Sequence, residues 1–121
     1  MMNFSAKLRC CIAAILFGTA PLTLANPADL LGPDQWPETV DATVKMIISR
    51  LSEKDRLTVK NTKKEDLILF HHGWGTGIRN DYGLWRGNKK LILSACDGQA
   101  CHPDDASMKI IEAVWDELQK K

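Results

Sequence analysis

The chain of 121 residues holds three histidines, and all three stand in two polar clusters. The first cluster runs His71-His72-Gly73-Trp74-Gly75-Thr76-Gly77-Ile78-Arg79-Asn80-Asp81-Tyr82-Gly83-Leu84-Trp85. The second is His102-Pro103-Asp104-Asp105-Ala106-Ser107. On a helix, His71, Gly75 and Arg79 fall in one line at i, i+4 and i+8, with His72 rotated by about 100°. Glycines beside an imidazole and a guanidinium open a shallow surface. The planar fork of arginine suits a carboxylate or another anion. Asp104 and Asp105 could answer Arg79 or a histidine from across the fold. The residues singled out on this ground are His71, His72, Arg79, Asn80, Trp85, His102, Asp104 and Asp105. A plainer explanation takes precedence: a buried hydrogen-bonded network that fixes helix registration. Asp104 and Asp105 would then only complement a helix N-terminus, and Ser107 would only face solvent.

Other chemistries fit these residues less well. Gly73-x-Gly75-x-Gly77 lacks the preceding strand and the Lys-Ser/Thr pair of a phosphate-binding loop. There is no His-Glu-x-x-His and no histidine pair at i, i+4. A metal would need His71 or His72 to meet His102 and Asp104 through the fold, and no metal ligands are assigned. Cys96-Asp97-Gly98-Gln99-Ala100-Cys101-His102 resembles a c-type haem attachment segment, with four intervening residues where two are usual. Met46 or Met108 would have to supply the other axial ligand. Ser94 or Ser107 can be grouped with His71 and Asp104, yet nothing places the serine on a strained turn. General acid–base chemistry through His71 or His72 is equally unconstrained. No cofactor is expected.

Helices must position these groups. Pro37 suits a first helical position, with Glu38 and Asp41 in the first turns. Val40, Val44, Ile47, Ile48 and Leu51 then recur at helical spacing. Ser52 and Asp55 read as a cap for a short second helix to about Val59. Thr62-Lys63-Lys64-Glu65 reads as a capping box, opening a helix through Leu67, Phe70, Trp74 and Ile78. Three interior glycines oppose that helix at about 1 kcal/mol each. The apolar spacing nevertheless keeps phase, so one continuous helix to about Asp81 is expected. Gly83 ends it, and Asn88 caps a short helix carrying Leu91, Ile92 and Ala95. Asp97-Gly98 marks a turn. Pro103-Asp104-Asp105 starts a last helix with Ala106, Ile110, Ile111, Val114, Trp115 and Leu118 as its buried stripe. No strand-like alternation survives. The fold class is all-α, a small single-domain bundle of four to five helices.

The N-terminus points to export. Lys7 and Arg9 precede an apolar run of 11 residues, Cys10 to Ala20, and Thr23-Leu24-Ala25 offers a cleavage site. Residues 1–25 are therefore expected to be a cleaved secretory signal peptide, 26–36 an irregular lead, and 37–121 one helical domain. The balance of +1 over the whole chain excludes the electrostatic footprint of nucleic-acid binding. No apolar run is long enough to span a bilayer, so no stable membrane insertion is expected after cleavage. Cys96 and Cys101 would remain as an isolated pair. In a periplasmic or secreted bacterial protein such a pair reads as a disulfide, contributing about 2 kcal/mol in a loop this small.

The paired motifs also carry a resemblance. His71-His72-Gly73 through Gly83-Leu84-Trp85, followed by His102-Pro103-Asp104-Asp105-Ala106-Ser107, resembles a bacterial domain family of unknown function. The shared pattern is HHG-x-G-x-x-IRN-x-x-GLW followed by HPDD-x-S, over about Trp36 to Leu118. The resemblance implies a small, mainly helical domain and transfers no catalytic residues; Cys96 and Cys101 fall outside the pattern. The expected function is an exported binding or interaction module with a protein or small-ligand partner, for instance a periplasmic immunity or inhibitor-type protein. A small envelope hydrolase with a His/Asp site is the alternative, and a haem or metal protein a lesser one.

Overall fold

Thr39 and Ser52 decide where the first two helices begin. The computed structural model describes residues 31–120; the expected signal peptide and residues 26–30 lie outside them. Helix α1 spans Val40–Arg50, and the Thr39 hydroxyl accepts the Ala42 N–H. The start at Pro37 is corrected by three residues, because the threonine side chain satisfies the orphan donor that a proline start would leave to water. Helix α2 spans Glu53–Lys60, capped by Ser52 through the Asp55 N–H as expected. Ahead of α1, a 3-10 turn over Pro33–Gln35 leads to Trp36.

The continuous helix from Thr62 to Asp81 does not form. A 3-10 helix covers Lys64–Phe70, the chain turns at residues 71–73, and α3 spans Trp74–Asp81. Gly73 stands at φ −83°, ψ −80°, outside helical geometry. Thr62 caps nothing; its hydroxyl donates to the Thr58 carbonyl and closes α2. In a 3-10 helix residues i and i+3 eclipse. Leu67 and Phe70 therefore face inward together, while Ile68 and Leu69 are left outside.

Gly83 ends this part of the chain at φ +75°, and a Cβ there would lie 2.4 Å from the Trp36 indole. Both constraints require glycine. Asn88 caps α4, Lys89–Ala95. Its amide also donates to the carbonyls of Pro37 and Tyr82, at 3.0 and 2.8 Å, joining the lead to the loop. Helix α5, Pro103–Gln119, is capped by His102, whose Nδ1 accepts the Asp104 N–H. A disulfide joins Cys96 at the end of α4 to Cys101 just before α5.

The long helix α5 is the axis of the fold. Helices α1 to α4 and the 3-10 helix all pack against it. Its buried face is Ala106, Ser107, Ile110, Ile111, Val114 and Leu118. Val44, Ile47, Leu67, Ile78 and Leu91 meet that face to complete the core. The domain is all-helical, with five α-helices among the described residues.

Candidate functional site: the Arg79–Asp104 cluster

Packing of α3 on α5 aims Arg79 inward, where it exposes only 5% of its surface. Its guanidinium is occupied on every nitrogen. Nη1 donates to Ser107 Oγ at 2.9 Å. Nη2 donates to the His71 carbonyl at 3.2 Å and to Thr76 Oγ1 at 3.0 Å. Nε lies 3.4 Å from Asp104 Oδ1. The fork can reach these groups because Gly75 has no side chain. A Cβ there would stand 3.1 Å from Nη1 and 3.3 Å from the Phe70 carbonyl oxygen. The expected line of His71, Gly75 and Arg79 thus has a physical use, with the guanidinium folded back over the glycine.

Asp104 is the rim of this cluster, its side chain 42% exposed. On its outer side His71 Nε2 stands 3.9 Å from Oδ2 and His102 Nδ1 3.6 Å from the same oxygen. His71 Nδ1 is buried without a hydrogen-bond partner. His72 is exposed and meets His71 edge to face at 4.9 Å, while its carbonyl accepts the Thr76 hydroxyl. The Trp85 ring, half exposed, packs its edge near His102 at 5.3 Å.

Four of the eight singled-out residues therefore meet: His71, Arg79, His102 and Asp104. His72 and Trp85 border them. Asn80 and Asp105 are exposed, and neither side chain belongs to the cluster. Asn80 contributes its carbonyl to Arg86 instead, at 2.7 Å. Ser107 is the residue that sequence reasoning placed wrongly. It is fully buried, and its hydroxyl accepts from Arg79 while donating to the Asp104 carbonyl at 2.9 Å. Its position three residues after Asp104 puts it on the same helix face, but that spacing alone does not say which way the face points. Thr76, three residues before Arg79, is in the same position: the spacing permits the contact and does not require it.

Chemically, this arrangement commits the arginine to groups of its own chain, with three hydrogen bonds and one ion pair. Each nitrogen has a partner within the chain and the side chain is buried, so the guanidinium is poorly placed to receive an incoming anion. The Ser107 hydroxyl is likewise committed and sealed from water. Cys96 and Cys101, which haem attachment would need as thioethers, are bonded to each other. Among the described residues, no three His, Cys, Asp or Glu side chains group as a metal-holding set. No helix among them is long and apolar enough to cross a membrane.

Beside its charged residues, the surface presents large apolar side chains. Leu69 is 78% exposed and Ile68 59%, side by side on the 3-10 helix, and Trp85 is 53% exposed.

In comparison with known proteins, a family model described as Domain of unknown function (DUF6794) matches residues 36–118. No curated protein and no solved structure matched the chain.

Proposed function

The chain belongs to this family of domains of unknown function, and we propose that it is a small exported binding module that engages a protein partner in the bacterial envelope. An inhibitor or immunity-type role is the concrete form of this reading. The observation that carries it is the pair Ile68 and Leu69, both more than half exposed on a 3-10 helix whose other face is anchored in the core by Leu67. A contiguous exposed apolar patch on a small domain is a candidate interaction surface. The polar motif behind them acts as scaffold: Arg79 ties α3 to α5 and so holds the turn at residues 71–73 that follows the 3-10 helix.

The test is affinity capture from the envelope fraction with wild-type protein and with an Ile68→Ser/Leu69→Ser variant. One specific protein should be retained by the wild type and lost with the variant, at unchanged melting temperature. Equal retention by both, or retention of nothing, counts against the reading. One observation favours the hydrolase alternative, the half-open approach of His71 and His102 to Asp104. Ester or amide turnover that is abolished by His71→Gln in a still-folded protein would establish it instead.

A further inference from the structure

The residue that follows Ile68 and Leu69 on the 3-10 helix is a wall of a cleft. Phe70 joins Leu51, Asp55, Thr58, Val59 and Trp74 around a space of about 220 Å³ where α2, the 3-10 helix and α3 meet. Val59 is buried, while Leu51, Phe70 and Trp74 are half-buried and keep part of their surface open. The Phe70 and Trp74 rings stand edge to face at 5.5 Å. The space is smaller than a drug-sized pocket of about 300 Å³ or more, and it suits a single side chain.

Asp55 is the one ionisable group of that lining, and it is exposed. Its backbone N–H serves the Ser52 cap, but its carboxylate has no ion pair or hydrogen bond among the described residues. Its neighbours in α2, Lys54 and Arg56, do not line the cleft. The Arg56 guanidinium donates instead to the Ile48 carbonyl at 3.0 Å. On the far side of Leu51 and Trp74, Arg50 is engaged by the Tyr82 hydroxyl and the Asp81 carboxylate. The cleft therefore combines a wall of two aromatic rings with a single unspent negative charge.

We propose that this cleft receives an aromatic side chain of the protein partner, with a lysine or arginine of the same partner segment set on Asp55. The proposal rests on the protein-partner reading and names the chemistry of that partner. Aromatic rings pack against one another at centroid distances of about 4.5–7 Å, and Phe70 and Trp74 offer two such faces at once. A segment that covered Asp55 without bringing a cation would strip water from an unpaired carboxylate, so the cover must be basic there. A seated aromatic and a charged anchor, ringed by apolar contacts, form the energetic centre of many interfaces. Ile68 and Leu69 supply that ring.

The experiment titrates the purified protein with N-acetyl-phenylalanyl-arginine amide, following the Trp74 indole N–H and the Asp55 amide by NMR. The phenylalanyl-glutamine, phenylalanyl-glutamate and alanyl-arginine analogues are the controls. The phenylalanyl-arginine compound should shift both signals and bind about fivefold tighter than the glutamine analogue, the scale of one exposed ion pair. Asp55→Asn should erase that preference. Thr58→Leu projects an apolar side chain into the cleft from a position where leucine is also the better helix former. It should abolish the shifts without lowering the melting temperature. Ile68→Ser/Leu69→Ser should still bind the compound, which is too short to reach past the cleft. In the envelope capture, the protein retained by the wild type should be lost with Thr58→Leu. Its retention by Thr58→Leu and loss with Ile68→Ser/Leu69→Ser would overturn the proposal and leave the protein-partner reading standing. Absence of shifts at millimolar concentration, equal binding of the glutamate or alanyl analogue, or unchanged binding in Thr58→Leu would overturn it as well.

Discussion

Arg79 is worth more to this domain as a clamp than as a charge. Truncation to alanine takes the donor away from the buried Ser107 oxygen and the His71 carbonyl and leaves a void between α3 and α5. We expect Arg79→Ala to destabilise by about 2–3 kcal/mol, read by denaturant unfolding. Arg79→Lys keeps the charge but loses the fork, and should cost roughly half as much. Equal stability of all three proteins would show that the clamp carries no weight. Asp81 makes a second prediction at this scale. Burial pushes its carboxyl above the ordinary value of 3.8, and Arg50 and then Arg86 pull it back only in part. The folded state therefore holds this proton more tightly than the unfolded state. Stability falls as pH rises from the ordinary value through the raised one, and the loss persists above both. Asp81→Asn removes that loss. Its melting temperature relative to wild type should be higher at pH 7 than at pH 3. Arginine, histidine and aspartate were legible in the motifs as partners. Ser107 was not, because a serine on an amphipathic helix looks the same in sequence whether its face meets water or a guanidinium.

At the scale of elements, the segment from Lys64 to Asp81 is the instructive one. Its apolar residues step by three from Leu67 to Phe70 and then by four to Trp74 and Ile78. A step of three fits a 3-10 turn and a step of four an α-turn, yet both steps also fit one continuous α-helix. Periodicity therefore cannot see the switch. The glycines could, since three in five residues weaken a helix by about 3 kcal/mol in total. Gly73 is where the chain yields. The neighbouring glycines answer differently to the same change. Gly75→Ala presses a methyl between the Arg79 guanidinium and the Phe70 carbonyl and should cost about 1 kcal/mol, while Gly77→Ala meets open space. Gly83→Ala faces the Trp36 ring and a left-handed backbone together, and should cost about 2 kcal/mol or more. Thermal unfolding of the three variants checks the order, with Gly83→Ala lowest and Gly77→Ala highest. Caps were more legible than helix lengths. Ser52, Asn88 and the segment after His102 act where their side-chain chemistry places them, because a cap is satisfied locally.

For the whole molecule, one axial helix explains both the stability and the placement of the polar motifs. The two histidine clusters lie far apart in sequence and meet because α3 and the N-terminus of α5 pack together. The Cys96–Cys101 disulfide holds that N-terminus to α4. Replacing both cysteines by serine should lower stability by about 2 kcal/mol, a drop of roughly 8–16 °C in a domain of this size. A smaller drop would mean that packing alone places α5. The all-helical class, the caps at Ser52 and Asn88, the cysteine pair and most of the apolar stripe of α5 were determined by the sequence itself, because each depends on side chains within a few residues of one another. Only the tertiary structure decided that Arg79 is sealed inside, that Ser107 completes it, and that the helix breaks at Gly73. Those outcomes depend on which faces meet across the core, and a linear pattern holds no information about its distant partner.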